Sequence, residues 1–545
     1  MKLPRPSSQT AGNSENALNV LFLHVPKLEN YYRLIGRFSF ILYPPIGLLG
    51  LADYLRQNRI RSRIVHLGVD QHLHGERPIA TLLDEHPAPI IGLDLHWHFQ
   101  SHDVIETARR IKLADPKKRI VLGGFTASLF AREILAEFPF IDFVVRGDAE
   151  QPLADLVRQC GGGENFASVP NLSYRDGGAV RVNPITFVAD EHLLNQINYT
   201  DFTLLRDYRE YIEHFSRYVR LPGSLEHLQS LLFSKYTSYP VFIGRGCSFD
   251  CSYCGGSHRA QEMIASRGRT VLRSPGAVLD SIRDLAHYGF DFACLASDCI
   301  PPAQADAFYL PIFQAIQKEQ LPIAVEVERN FLPTEDFLET FSRLPLKSSF
   351  ITLSPHTHND TLRRANHLHR YEITEMEACL ERMAKLQIQV RVCFTSGLPF
   401  ETDKDMQEMA AYQKHLRRRF PLADIRTAMI EIEPGSPMSR NPEHYGLRVD
   451  RSTFLDYYRY HSNPHQDHWM ALGFDRDGCP SQADTSRFFC KNFCRRFGTG
   501  ALSPILCTAF GTLRMAGAFP ILNSVLGLQK LGTPRKIQKS SSSAR

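Results

Sequence analysis

Short apolar runs alternate with stretches of helical spacing over two long segments of the chain. In the first segment NVLFLHV (19–25), SRIVHLG (62–68), PIIGLDL (89–95), RIVLGGF (119–125) and FIDFVVRG (140–147) predict strands. Between them GLLGLADYLRQN (47–58) and HDVIETARRIKLA (102–114) carry helical periodicity. Strands alternating with helices predict an α/β fold, here a parallel, doubly wound sheet over 19–160 with its ligand at the strands' carboxyl ends. A connector over 161–238 begins Gly-rich, at Gly161 to Gly163. The second segment, 239–447, reads as six strand–helix units. Its strands are YPVFIGRG (239–246), FDFACLAS (290–297), PIAVEVERN (322–330), SSFITLS (348–354), QVRVCFTSG (389–397) and DIRTAMIEIEPG (424–435). SPGAVLDSIRDLAHYG (274–289) and EITEMEACLERMAKLQ (372–387) are two of its helices. Six such units predict a partial or full (β/α) barrel with its chemistry at the C-terminal strand ends. The rhythm is lost over 448–535, read as a mainly helical region. Residues 1–18 and the tail KIQKSSSSAR (536–545) read as disordered.

Composition narrows the function classes. With 22% charged and 43% hydrophobic residues, the 545-residue chain is an ordinary globular one. The net charge of +5 is too diffuse to argue for nucleic acid. The first twenty residues lack the apolar core of a signal peptide, and no stretch reaches 18 uninterrupted apolar residues. The expectation is a cytoplasmic protein. There thiols stay reduced, so clustered cysteines hold metal more often than they form disulfides. Of the twelve cysteines, Cys247, Cys251 and Cys254 stand in GRGCSFDCSYCGGS, directly after the first strand of the second run. Two metal readings follow from that spacing. Three thiolates can hold one face of an iron–sulfur cluster and leave one iron open for a small chelating molecule. With His258 they would instead make a Cys₃His zinc site.

The CxxxCxxC loop, with Tyr253 before its last cysteine, resembles the radical S-adenosylmethionine superfamily. The first domain is similar to the Rossmann-like cobalamin-binding domain that precedes the TIM-type barrel in one branch of it. PPIGLLGLADYL (44–55), VLGGFTAS (121–128) and DFVVRGDAEQPL (142–153) resemble that branch in the first domain. LSPHTHNDTLRRANHLHRY (353–371), GLPFET (397–402) and EPGSPM (433–438) do so in the barrel. The resemblance runs over about residues 19 to 447.

It implies that Cys247, Cys251 and Cys254 hold a [4Fe-4S] cluster whose fourth iron binds S-adenosylmethionine. Tyr253, Gly255, Gly256, Asp298, Glu328 and Ser354 would line that cofactor. Ser354 stands where the family usually has an acidic residue near the ribose, which puts that contact in doubt. Alternation places Glu326 and Glu328 on one strand face, with Arg329 at the same strand end. Cobalamin would meet Leu95, His96, Gly123, Gly124, Thr126, Ser128, Gly147, Asp148 and Glu150. The cobalamin signature DxHxxG is absent; the nearest approximation is DLHWHF (94–99), and no protein ligand to cobalt is expected from it.

The implied activity is cleavage of S-adenosylmethionine to a 5′-deoxyadenosyl radical, with methylcobalamin as methyl donor to an unactivated substrate carbon. The alternatives are cobalamin-assisted cyclisation or rearrangement, and a radical enzyme whose first domain is only a buttress. A non-catalytic sensing module has no need of an open-iron site on a barrel. An electron donor such as flavodoxin or ferredoxin is implied as partner. Cys479, Cys490, Cys494 and Cys507 form a candidate auxiliary metal site, CKNFC repeating the CxxxC spacing. The apolar stretch 503–531 reads as a helix pair over the barrel mouth or as a peripheral membrane contact, the latter pointing to a lipid-like rather than another small-molecule substrate.

Overall fold

The computed structural model describes residues 18–26, 45–212, 237–295, 300, 302–462 and 473–476. Its first sheet holds seven strands: β1 (Val20–His24), β2 (Ser62–His66), β3 (Ile90–Asp94), β4 (Arg119–Gly123), β5 (Phe143–Val145), β6 (Leu172–Asp176) and β7 (Ala179–Val182). Their order is β2-β1-β3-β4-β5-β6-β7. The first five run parallel and the last two are antiparallel additions. All five residues of β1 are buried, as a strand covered by helices on both faces requires. The order reverses between β1 and β3, and a doubly wound sheet opens its ligand crevice outside the strand ends at such a point.

β6 and β7 form a hairpin around Gly177 and Gly178 (φ 56° and 86°), the left-handed pair that a tight two-residue turn demands. They extend the first sheet to Val182.

The second sheet is six-stranded and wholly parallel, built from β8 (Ser238–Pro240), β11 (Phe292–Leu295), β12 (Ala324–Arg329), β13 (Phe350–His356), β14 (Gln389–Ser396) and β15 (Ala423–Met429). The strands stand in sequence order, and β8 and β15 are its two edges: a partial barrel. Two short antiparallel strands, β9 (Gly244–Arg245) and β10 (Val271–Leu272), bracket the cysteine loop. Local signals fix the helices between the strands. In Pro275–Tyr288 the Ser274 hydroxyl accepts the Ala277 N–H, proline takes the first turn, and Gly289 ends it in a left-handed conformation.

Beyond the barrel, the described part of the C-terminal region holds a helix and a short strand pair. β16 (Leu447–Val449) pairs antiparallel with β17 (Phe474–Arg476). Helix Phe454–Ser462 turns back onto the first domain, where Phe454 and Tyr457, fully buried, pack with Phe130 and Phe138. Tyr458 donates to Glu106 (2.7 Å), and the Phe454 N–H to Glu133 (2.8 Å). No described helix is long and apolar enough to cross a membrane.

Candidate active site at the barrel mouth

The cysteine loop is rooted by close approaches. A Cβ at Gly244 would lie 2.4 Å from the Val271 carbonyl, and one at Gly246 (φ 92°) 2.6 Å from that of Arg269. The loop is then held by backbone bonds from Cys254 N–H to Cys251 O and from Ser257 N–H to Cys254 O, and by Ser252 bonded to Asn366. Cys247, Cys251 and Cys254 are free thiols, each half-buried. Burial pushes all three above the ordinary thiol value, Cys251 to about 11; Arg370 opposes this at Cys247 and Cys251. The Arg370 guanidinium lies 3.7 Å from the Cys251 sulfur and 4.1 Å from the Phe249 ring centroid. A cavity of about 460 Å³ opens between this loop and residues 364–370.

The donor set fits an iron–sulfur cluster better than zinc. In a tetrahedral zinc site, bonds of about 2.3 Å put sulfurs roughly 3.8 Å apart. Among the described residues the trios with donor atoms within 4.8 Å are His98–Glu431–His461 and Asp360–His369–Glu372, not the cysteines. His258, the fourth zinc ligand of that reading, has Nδ1 at 3.1 Å from the Cys247 carbonyl.

The mouth is lined by the alternate residues of β12 to β14. Glu326 and Glu328 share the lumen face, as alternation requires. Ser354 donates to Glu328 (3.3 Å), so two predicted S-adenosylmethionine contacts are neighbours. Glu326 lies deeper, accepting from Arg391 (2.8 Å), Thr352 and the Cys294 thiol. Arg329 points away from the lumen, its guanidinium over the Tyr309 and Phe337 rings. Tyr253 packs edge-on against His356 (5.6 Å), whose Nδ1 meets the Thr395 hydroxyl at 2.9 Å. Burial drives the His356 pKa down to about 3, so the ring is neutral. Gly255 donates its N–H to the buried Glu433 carboxylate (2.6 Å), and a Cβ there would strike the Pro434 carbonyl at 2.8 Å. Gly256 has no such neighbour: a Cβ would meet only the Cys254 sulfur, at 3.8 Å. Asp298 and the cysteines from Cys479 to Cys507 lie outside the described residues.

In the first domain, three strand-end loops are knit into one edge. The Thr126 N–H and hydroxyl both donate to the His96 carbonyl, and the Ala127 N–H to that of Leu95. Ser128 donates to the Gly124 carbonyl (2.7 Å) and accepts the Gly147 N–H (3.0 Å). Gly124 (φ 104°) allows this, since a Cβ would lie 2.8 Å from the His96 backbone; Gly123 beside it is open. Next to His96, Trp97 is 47% exposed and stacks on Phe99. Asp148 and Glu150 are drawn elsewhere. Both pair with Arg245 of β9, Asp148 also with Arg267, and Asp148 caps the Ala189 N–H. Buried carboxylates need a cation, and the two arginines within reach flank the cysteine loop. These two residues therefore tie the first domain to the segment that carries the cysteines.

His356, Arg370 and Glu433 were not singled out by their sequence context. A weak signal existed for His356, two residues from Ser354 on the same strand face. Arg370 and Glu433 reach the cysteine loop only through the fold.

Residues 39–157 match the family model for the B12 binding domain, and residues 241–412 that of the radical SAM superfamily. Over 240 residues the chain is 24% identical to an uncharacterized methyltransferase of Pyrococcus horikoshii, covering 44% of this chain and 46% of that protein. Over 216 residues it is 26% identical to the hopanoid C-3 methylase of Methylococcus capsulatus, covering 39% and 36%. The chain thus spans less than half of either relative. The fold is that of the radical S-adenosylmethionine methyltransferase TsrM from Kitasatospora setae, solved with cobalamin and a [4Fe-4S] cluster. The TM-score is 0.59 at 15% identity, with 89% of each chain covered.

Proposed function

We propose, for a chain that belongs to the radical S-adenosylmethionine superfamily and carries a B12 binding domain, that it methylates an unactivated carbon of a small molecule. One observation carries this reading. The helix that follows the cysteines, His258–Ala265, packs against helix Phe125–Leu129 of the glycine-rich edge, and Gly147 abuts Ala265. The cysteine loop and the edge are therefore neighbours in the fold. Bound there, a [4Fe-4S] cluster, S-adenosylmethionine and methylcobalamin would supply reductive radical formation and methyl transfer.

The chain's own residues do the holding. Cys247, Cys251 and Cys254 ligate, and Arg370 offsets part of their negative charge. Glu433 fixes the loop through the Gly255 N–H. Glu328 and Ser354 offer a paired carboxylate and hydroxyl to a polar cofactor. The bonds among Leu95, His96, Thr126, Ser128 and Gly147 shape the corrin's seat, and Trp97 presents a flat apolar face to it. A small redox protein such as flavodoxin or ferredoxin would deliver the electron.

Anaerobic reconstitution with iron, sulfide and hydroxocobalamin tests the reading. About four irons and one corrin per chain are expected, with 5′-deoxyadenosine released on reduction with S-adenosylmethionine. Iron without corrin would rule out methyl transfer from cobalamin and leave a plain radical enzyme.

A further inference from the structure

Three side chains from three parts of the fold converge away from the cysteine loop. His98 opens the short turn His98–Gln100 after β3, Glu431 follows β15, and His461 lies in helix Phe454–Ser462. His98 and His461 are 6% and 3% exposed, and the Glu431 side chain 15%. His98 Nδ1 stands 3.1 Å from His461 Nε2, and His98 Nε2 3.9 Å from Glu431 Oε2. One donor atom from each of the three falls within 4.8 Å of the others.

The two oxygens of Glu431 are divided. Oε1 faces Arg451 at 3.4 Å and receives no hydrogen bond. Oε2 is turned to the histidines. Tyr457 closes one side, its ring 5.2 Å from that of His98 and its hydroxyl 3.4 Å from the Ile432 carbonyl.

We propose that His98, Glu431 and His461 bind a first-row divalent cation, zinc in the first instance, that ties the first domain, the barrel and the C-terminal helix together. Two imidazoles and one carboxylate are a common donor set for such ions. Tetrahedral bonds of about 2.0–2.1 Å place donors roughly 3.3 Å apart. With one atom from each side chain the donors already lie within 4.8 Å of one another, so closing to that edge takes side-chain rotation and no change of backbone. Each histidine gives one neutral nitrogen, Glu431 gives Oε2 as carboxylate, and water takes the fourth position. Arg451 on Oε1 then serves as the outer partner that orients the ligating carboxylate. The inference does not rest on the proposed methyl transfer, because its readout involves neither cluster nor corrin.

The test is metal analysis of the full chain purified anaerobically and equilibrated with zinc, then desalted. The wild type is expected to retain a zinc equivalent that His98→Ala and His461→Ala both lose. The triple variant Cys247→Ala, Cys251→Ala, Cys254→Ala should lose iron and keep that zinc. Cobalt substitution of the wild type covers the case of a variant that fails to fold. It should give visible ligand-field bands with no thiolate-to-cobalt charge transfer, separating this site from any cysteine site. Zinc content unchanged in both histidine variants, or cobalt bound only through thiolate, would overturn the proposal.

Discussion

Glu433 shows how one side chain can govern the cysteine loop without being a ligand. Its carboxylate takes the Gly255 N–H in a buried setting. Glu433→Ala orphans that donor, at a cost of about 1–3 kcal/mol. Glu433→Gln keeps an acceptor and should recover most of the loss; chemical denaturation of the two variants checks this. His356 gives a pH signature. Its folded-state pKa, about 3, lies below the ordinary histidine value because burial disfavours the charged ring. The unfolded chain therefore binds the extra proton first as pH falls. Stability from this residue is complete above about pH 6.5 and is lost toward pH 3, by up to about 1.4 kcal/mol per pH unit. In His356→Gln that part of the slope disappears, which denaturation midpoints measured between pH 7 and 4 would show. The cysteine cluster was legible because its spacing is local, seven residues apart at most. His356, Arg370 and Glu433 were not, since each meets the loop across more than a hundred residues of chain and no spacing rule encodes that.

Among the elements, the strand-end loops of the first sheet carry the sharpest test. Gly124 adopts φ 104° and ψ 175°, a region reserved for glycine, with the His96 backbone against it. Gly124→Ala should displace the loop of Leu95 and His96 and abolish corrin retention, while iron per chain on reconstitution stays at the wild-type level. Parallel loss of iron would mean that the whole fold had failed. All eleven predicted strands have counterparts in the two sheets, because buried parallel strands write themselves as short apolar runs. The β6–β7 hairpin escaped notice although Asp176, Gly177 and Gly178 mark its turn. β6 mixes polar and apolar residues and β7 lies largely exposed, and an edge hairpin needs little apolar pattern. The ion pairs of Asp148 and Glu150 were not legible either, because Arg245 and Arg267 stand about a hundred residues on.

At the scale of the whole molecule, those ion pairs set the seam between the domains. Glu150 and Asp148 have side chains 1% and 7% exposed. Arg245→Met removes their shared cation and should cost about 3–5 kcal/mol. Limited proteolysis should then release the first domain from the barrel before either unfolds, which the wild type should resist. The second seam, helix Phe454–Ser462, seals the other side of the first sheet.

That returning helix also sets a timetable. The first sheet is complete in sequence at Val182, yet Phe130 and Phe138 gain their covering partners only when Tyr457 emerges. At roughly 5–20 residues per second on the ribosome, the intervening stretch of about 275 residues takes some 14 to 55 seconds to synthesise. Throughout that interval the nascent first domain carries a bare aromatic patch, a natural landing place for a chaperone.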